Sequence, residues 1–172
     1  MPATSRTGCA ISPPGAGTHD ALHGLMNAET LMTRDIYTCR TIDTLDLAAE
    51  LMRDHGIGSL PVVDEQGHVV GMLTDRDICM ATLEQDAPPR AISVGQTMSS
   101  HPLTCAPSDD ITIVEERMGQ RQLHRIPVVD DAGHPIGMIS LDDLARAAQQ
   151  GTLSASEVAN TLAAVSAHRP LY

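Results

Sequence analysis

Two short motifs pair a hydroxyl residue with a carboxylate at the same spacing, Thr74-x-x-Asp77 and Ser140-x-x-Asp143. A carboxylate accepts two hydrogen bonds, which the vicinal hydroxyls of a ribose can donate. A hydroxyl at a helix start can donate to a phosphate oxygen, beside backbone N–H groups and the positive end of the helix dipole. The same spacing is close to that of a helix capping box, which forms with no ligand at all. The motifs therefore have two interpretations, a nucleotide site and a local helix cap.

The two motifs end the two copies of an internal repeat. Residues 57–77 return without a gap as residues 123–143, sixty-six positions later. Each copy has the pattern of a strand, a tight turn, a second strand and a helix start. In the second copy, the residues identical at this offset include Met98, Thr104, Cys105, Asp109, Glu116, Met118, Pro127, Val128, Val129, Asp130, Gly133, His134, Gly137, Met138 and Asp143. We therefore predict two copies of one folding unit.

Each unit is predicted as β-α-β-β-α and, at about fifty residues, is too small to be stable alone. Its strands are continuous apolar runs, which is typical of a sheet covered on both faces. One face takes the helices of the unit, and the other takes the sister copy. The predicted fold class is therefore α/β (α+β), with tandem β-α-β-β-α repeats packed in pseudo-twofold symmetry and an additional C-terminal helix.

Four segments are predicted along the chain. The first residues are rich in Ser, Thr, Gly, Pro and Ala and predict a mobile arm. A helical pattern runs from Asp20 to Met32, and Ser154-Ala-Ser-Glu157 predicts a capping box for a last helix. The segments are the mobile N-terminal arm (1–20), the first repeat with its leading helix (21–91), the second repeat (92–150), and the C-terminal helix and tail (151–172).

Composition narrows the class of partner. The 172 residues include eleven Arg and no Lys, and the formal net charge is −11 at pH 7. No basic stripe of this chain could neutralise several phosphates of a polymer, so nucleic acids and anionic membranes are disfavoured partners. The four Cys lack metal-ligand spacing, and the sequence has neither signal-peptide order nor an apolar run of about eighteen residues. We therefore expect a cytoplasmic protein without a metal site.

The repeated pattern resembles a cystathionine-β-synthase (CBS) domain pair, also called a Bateman module. The resemblance covers roughly residues 29–149. The first copy is also similar to small stand-alone bacterial CBS proteins, including the hypoxic response protein type. The residues that carry the resemblance are Gly58-x-Leu-Pro-Val-Val-Asp64 with Gly71-Met-Leu-Thr-Asp-Arg-Asp77, Arg125-Ile-Pro-Val-Val-Asp130 with Gly137-Met-Ile-Ser-Leu-Asp-Asp143, and the repeat openings Met32-Thr33 and Met98-Ser99.

The resemblance implies a disc-like unit that often dimerises and binds adenosine-containing ligands in clefts between the repeats. Thr74 and Asp77 would hold the ribose and phosphate in one cleft, which we name site 1. Ser140 and Asp143 would do so in the other cleft, site 2. The cleft backbone is expected at Gly58, Ser59, Pro61 and Pro127, and Gly71 and Gly137 are expected to let the backbone approach a ligand closely.

The two copies differ at the residues that would hold a phosphate. In the family, residues just ahead of the Leu/Ile-Pro-Val-Val run can reach across the groove to the ligand of the other repeat. Site 1 is therefore expected to collect Arg76, Arg125 and His124. Site 2 is expected to collect Asp142 and no nearby base. This comparison predicts that site 1 is the phosphate-competent one.

Two matched pairs outside the motifs have their own alternatives. Cys39 and Cys105 occupy equivalent strand positions and are either a redox-sensitive or bridging pair or two small buried hydrophobes. The second interpretation is favoured, since free Cys is commonly buried and inert. His68 and His134 occupy matched turn positions and are expected to be exposed polar residues rather than ligands.

No residue arrangement of a known catalytic type is found. We therefore predict a non-enzymatic regulatory module that requires no cofactor and senses an adenosine-containing ligand, with AMP, ADP or ATP as the best candidates. The module is expected to form a homodimer and to act on an effector protein that the sequence does not identify. The alternative is a ligand-free, dimeric, stress-related interaction protein whose clefts are filled by its own side chains.

Overall fold

The computed structural model describes residues 26–167 of the chain. The predicted mobile arm, the first six residues of the predicted Asp20–Met32 helix and the last residues of the tail lie outside this range. The strands are β1 (Cys39–Arg40), β2 (Ser59–Val63), β3 (Val69–Thr74), β4 (Ser99–Ser100), β5 (Arg125–Val129) and β6 (Pro135–Ser140). The helices are α1 (Ala28–Leu31), α2 (Leu45–His55), α3 (Asp75–Gln85), α4 (Val94–Thr97), α5 (Ile111–Arg121), α6 (Leu141–Gln149) and α7 (Ala155–Val165), with a 3-10 turn at Pro89–Ala91.

The two hairpins of the repeat form as the sequence predicts. Strands β2 and β3 pair antiparallel with Ser59 opposite Thr74, and β5 and β6 pair with Arg125 opposite Ser140. Both hairpins turn at a glycine with a positive φ, which is 87° at Gly67 and 89° at Gly133. The register also shifts at the same step of both hairpins. The α/β (α+β) prediction of two equivalent units is confirmed.

The opening segment of each repeat crosses to the other repeat. Strand β4 opens the second repeat, yet it pairs with β3 of the first repeat through Ser99 and Met72. In the same way Thr33 opens the first repeat and bridges Met138 in β6 of the second. The two units are therefore intertwined and are joined by more than side-chain packing.

Two matched glycines make this exchange sterically possible. A Cβ added at Gly71 would overlap the Met98 sulfur, and one added at Gly137 would overlap the Met32 sulfur. Neither glycine lines the cavity beside Thr74 or Ser140. The expectation that these glycines admit a ligand is therefore replaced by a packing role, in which they admit the methionine of the crossing segment.

The exchange gives each repeat a core that contains residues of the other. The first core buries Leu45, Met52, Leu60 and Leu73 together with Ile92 and Val94. The second core buries Ile111, Met118, Ile126 and Leu144 together with Ala28 and Met32. The leading segments of the two repeats therefore change places in the fold.

The turns of the two hairpins meet at the pseudo-twofold axis. The imidazoles of His68 and His134 stack with their ring centroids 5.1 Å apart, and the backbone N–H of Val69 donates to the Gly133 carbonyl at 3.0 Å. Each histidine side chain is half-exposed, at 43% and 44%. The two histidines are therefore polar residues, as expected, but they lie against each other and help to join the repeats.

Helix α7 covers helices α5 and α6 of the second repeat. It buries Val158, Thr161 and Val165 against them. Ser154 is its N-cap residue, but the predicted capping box does not form, because the Ser154 hydroxyl pairs with the Ser156 hydroxyl at 2.8 Å. Within residues 26–167, no helix is long and apolar enough to cross a membrane.

Candidate functional site: two unequal clefts between the repeats

Both hydroxyl–carboxylate motifs form capping boxes at helix starts. In site 1 the Asp77 carboxylate oxygen Oδ2 accepts from the Thr74 backbone N–H at 2.9 Å and from the Thr74 hydroxyl at 2.7 Å. The Asp77 backbone N–H donates to the Thr74 hydroxyl at 3.2 Å. The other carboxylate oxygen, Oδ1, has no hydrogen bond within the part of the chain that the structure describes. The cap therefore uses one oxygen of Asp77 and leaves the second available.

Asp77 lines a cavity of about 570 Å³ between the two repeats. This volume lies in the range of sites that hold small organic ligands. The first repeat contributes Ser59, Met72, Thr74 and Asp77 to the walls, and the second repeat contributes residues 99–103 and 121–125. The crossing of β4 places residues 99–103 here, so the strand exchange builds one wall of site 1.

The second repeat contributes basic side chains to the walls of site 1. Arg121, His124 and Arg125 all line the cavity. Helix α5 ends at Arg121 and β5 begins at Arg125, so one connection holds all three. Sequence comparison singled out His124 and Arg125 but missed Arg121. The signal was available in the repeat, because Gln122 matches Gly56, the residue that ends the equivalent helix, at the offset of sixty-six residues. This match places Arg121 at the last helical position, at the start of the connection that carries His124.

Arg76 lies outside site 1. It is exposed on α3 and does not line the cavity that Asp77 lines. Neighbouring residues of a helix point about 100° apart, so a helix that turns residue 77 to the cavity turns residue 76 away. The structure therefore does not place Arg76 with the other expected phosphate residues.

Site 2 is smaller, and its carboxylate is already occupied. The cavity beside Ser140 and Asp143 has a volume of about 220 Å³, and the Asp143 side chain is only 6% exposed. Asp143 Oδ2 accepts from the Ser140 backbone N–H and hydroxyl. Asp143 Oδ1 accepts from the Thr33 hydroxyl at 3.1 Å and from Arg146 Nη1 at 3.2 Å. Both oxygens are thus satisfied by the protein.

The expectation that site 2 has no nearby base is wrong. Arg146 and Arg125 both line its cavity, together with the expected Asp142. Arg146 follows Asp143 by three residues, a spacing that places two side chains on the same face of a helix. Arg146 lies in α6, so it is not among the residues just ahead of the strands in which the two copies differ.

The four residues that were expected to form the backbone of the clefts lie in different surroundings. Ser59 lines both cavities, and Pro61 lines site 2 only. Gly58 lines neither but lies in a surface depression between α2 and α3 beside Asp75. Pro127 lines neither site, and its carbonyl accepts from the Cys105 backbone N–H at 3.0 Å. Only Ser59 and Pro61 therefore lie at the clefts.

The two repeat cysteines are buried at matching places. Cys39 lies opposite Val62 and Cys105 opposite Val128, and they are 4% and 2% exposed. Burial, with a smaller effect of Asp43, raises the pKa of the Cys39 thiol to about 12. Burial, with a smaller effect of Asp109, does the same to the pKa of Cys105. These environments favour the interpretation as small buried hydrophobes.

Two intertwined β-α-β-β-α repeats with clefts between them define a CBS pair. The sequence matches the CBS domain family over residues 28–84 and again over 93–150, so the chain belongs to this family. The chain is 35% identical over 121 residues to the CBS domain-containing protein YhcV of Bacillus subtilis, a match that covers 70% of this chain and 84% of YhcV.

Solved CBS structures share the fold. Protein TA0289 of Thermoplasma acidophilum, of unknown function, superposes with a TM-score of 0.70 at 25% identity and covers 81% of this chain and 75% of its own. Hypoxic Response Protein I superposes with a TM-score of 0.64 at 28% identity over 70% of this chain and 98% of its own, which confirms the predicted resemblance. That protein was solved with two coordinated zinc ions. Residues 26–167 of this chain contain no group of three or more His, Cys, Asp or Glu placed to hold a metal ion.

Two other CBS pairs were solved with adenosine-containing ligands. Protein MJ0100 was in complex with 5′-methylthioadenosine and S-adenosyl-L-methionine, and it superposes with a TM-score of 0.63 at 25% identity over 70% of this chain and 98% of its own. CBSX2 was in complex with AMP, and it superposes with a TM-score of 0.63 at 24% identity over 74% of this chain and 98% of its own. Ligand-binding regulatory modules therefore occur among the CBS pairs that this chain resembles.

Proposed function

We propose that this chain is a non-enzymatic regulatory module that binds an adenosine-containing ligand, with AMP, ADP or ATP as the best candidates, in site 1. The observation that carries the proposal is the uncommitted Oδ1 of Asp77 inside a cavity of about 570 Å³. A carboxylate in this position offers the acceptor that ribose hydroxyls require. The adenosine ligands of MJ0100 and CBSX2 support the same ligand class for this fold.

The charges of the cavity orient such a ligand. With the ribose on Asp77, the phosphate lies towards the basic side chains that the second repeat contributes to the cavity, Arg121, His124 and Arg125. Arginine pairs with phosphate through several directed N–H groups and is the side chain best suited to this contact. A nucleotide that carries phosphate therefore binds more tightly than the bare nucleoside.

The ligand contacts both repeats at once. Thr74 and Asp77 belong to the first repeat, whereas His124 and Arg125 belong to the second. Binding then favours the relative orientation of the repeats that brings both walls to the ligand, and this shift changes the surface that an effector protein meets. We assign no enzymatic step and no required cofactor to the chain, and we place it in the cytoplasm, where its thiols stay reduced.

We also propose that the module is a homodimer joined through α2 and α3. These helices expose Leu47, Met80 and Leu83 at 56%, 42% and 74%. The equivalent helices of the second repeat, α5 and α6, are covered by α7 of the same chain. In a twofold dimer the same surface of both copies forms the interface. The α2–α3 surface of a second copy would therefore cover the α2–α3 surface of the first.

Calorimetric titration with AMP, ADP, ATP, NAD and S-adenosylmethionine tests the ligand proposal. Asp77→Asn is the informative variant, because its amide oxygen can still cap the helix while its NH2 group replaces the acceptor for ribose. We expect binding to weaken at least about tenfold, with Asp143→Asn as the matched control that leaves site 1 intact. Silence of the wild-type protein with all five compounds supports the ligand-free interaction protein instead, which the occupied Asp143 of site 2 also favours.

A further inference from the structure

The two carboxylates at equivalent repeat positions, Asp77 and Asp143, have different surroundings. Asp143 is 6% exposed and accepts hydrogen bonds on both oxygens. Asp77 is half-buried, and its only hydrogen-bond partner within residues 26–167 is the Thr74 cap on Oδ2. The cap itself is the same in both repeats. The hydrogen bonding of the two carboxylates therefore differs only at Oδ1.

Two side chains of the protein occupy Asp143 Oδ1. The Thr33 hydroxyl donates to it at 3.1 Å and Arg146 Nη1 at 3.2 Å. These donors are a hydroxyl and a charged N–H group. A ribose would offer Asp143 hydroxyl donors of the same kind as Thr33. A ligand that uses Asp143 must first displace an arginine from a nearly buried carboxylate, which is an unfavourable exchange.

The repeat itself explains why site 1 lacks these donors. At the repeat offset, Arg146 corresponds to Met80, which has no donor group, and Thr33 corresponds to Ser99. Ser99 lines site 1, yet its hydroxyl makes no hydrogen bond to Asp77 in the described structure. The cavity volumes agree with this difference, at about 570 Å³ for site 1 and about 220 Å³ for site 2.

From these contacts we propose that Thr33 and Arg146 close site 2 by occupying Asp143, so that each chain binds one adenosine-containing ligand, at site 1. Arg146 is the specificity-determining residue of site 2, because the matching residue of the first repeat, Met80, has no donor group and does not line the cavity of site 1. This inference rests on the proposed function, since it assigns the stoichiometry of the same ligand class.

The experiment removes the two donors from Asp143 Oδ1 and counts the sites by calorimetry with AMP and ATP. Arg146→Met combined with Thr33→Ala leaves this oxygen without a side-chain donor, as Asp77 Oδ1 is within residues 26–167, and the Arg146 side chain that is shortened is 61% exposed. The stoichiometry is expected to rise from about one ligand per chain to about two. Adding Asp143→Asn to this variant is expected to remove the second site again. Thermal unfolding of each variant verifies its folding.

The outcomes separate this inference from the proposed function. Two sites in the wild-type protein, or no gained site in the Arg146→Met/Thr33→Ala variant, would overturn the closure of site 2. If the wild-type protein binds neither AMP nor ATP, the proposed function fails, and the opened variant still decides the inference. In that case, one binding site in the opened variant that is lost on Asp143→Asn supports the closure of site 2. No binding to the opened variant overturns it.

Discussion

Arg125 Nη1 donates a hydrogen bond to the Ser59 hydroxyl at 3.2 Å, and these two residues occupy the same position of the two repeats. The bond therefore crosses the pseudo-twofold axis between a residue and its own counterpart. Arg125 and Ser59 line both site 1 and site 2. One arginine thus lies between the two clefts, and the repeat provides no second arginine at the matching place.

Arg125→Ser makes this position identical in both repeats and removes a cation from site 1. Because the arginine meets the phosphate and leaves the ribose to Asp77, we expect the affinity for ATP and AMP to fall at least about tenfold. Adenosine affinity should change little. Titration calorimetry with the three compounds measures the difference, and Arg76→Ser is the matched control, since Arg76 lies outside the cavity. Equal losses for adenosine and ATP would place Arg125 away from the phosphate.

Gly71→Ala tests the strand exchange. The added Cβ would overlap the Met98 sulfur, and overpacking of this kind costs about 1–3 kcal/mol of unfolding free energy. Urea unfolding measures the loss. In a Met98→Ala background the same substitution should cost much less, because the overlapping atoms are absent. A cost that is unchanged by Met98→Ala would contradict the packing role of Gly71.

The buried thiols predict a loss of stability at alkaline pH. Burial raises the pKa of Cys39 and Cys105 from 9.0 to about 12, so the folded state holds its thiol protons where the unfolded chain releases them. The stabilising contribution is complete below pH 9 and is lost as the pH rises from there towards 12. Urea unfolding as a function of pH should show a shallower alkaline loss in the Cys39→Ala/Cys105→Ala protein than in the wild type.

Thiol labelling checks the same environments without a mutation. At pH 8 a disulfide reagent should modify the exposed Cys79 quickly and Cys39 and Cys105 very slowly, since a thiolate must form before it reacts. Mass spectrometry of the digested protein locates the labels. Unfolding in urea should bring the two buried thiols to the rate of Cys79. Fast labelling of Cys39 in the folded protein would favour the redox-sensitive alternative.

The proposed dimer predicts a change of mass in solution. Leu47→Glu with Leu83→Glu introduces two charges into the exposed α2–α3 surface, and burying them unpaired in a dimer is strongly unfavourable. Light scattering after size-exclusion chromatography should report a dimer for the wild type and a monomer for this variant. Leu162→Glu is the control, because Leu162 is half-exposed on α7, away from α2 and α3. A variant that remains dimeric would exclude this interface.

Much of the fold was predictable from the sequence, because the physics involved is local. The strand–turn–strand pattern, the glycine at each turn and the hydroxyl–carboxylate caps act between residues close in the chain, and each appears twice. The fixed offset of sixty-six residues then assigns equivalent positions without any structure. The resemblance to the CBS family, applied to these matched positions, singled out Thr74, Asp77, His124 and Arg125, which the fold brings to one cavity.

The tertiary structure decided how the equivalent positions differ. Helix geometry turned Arg76 away from site 1, and the crossing of the leading segments brought Thr33 to a carboxylate 110 residues away. Arg146 then joined Thr33 on Asp143 Oδ1, while the matching residue Met80 offers no donor and Asp77 Oδ1 accepts no hydrogen bond from residues 26–167. Contacts between distant residues depend on how the two repeats pack, and a one-dimensional pattern does not contain that information. By itself the sequence predicted two clefts with different residues, and only the packing decided which basic side chains line each cleft and which carboxylate is occupied.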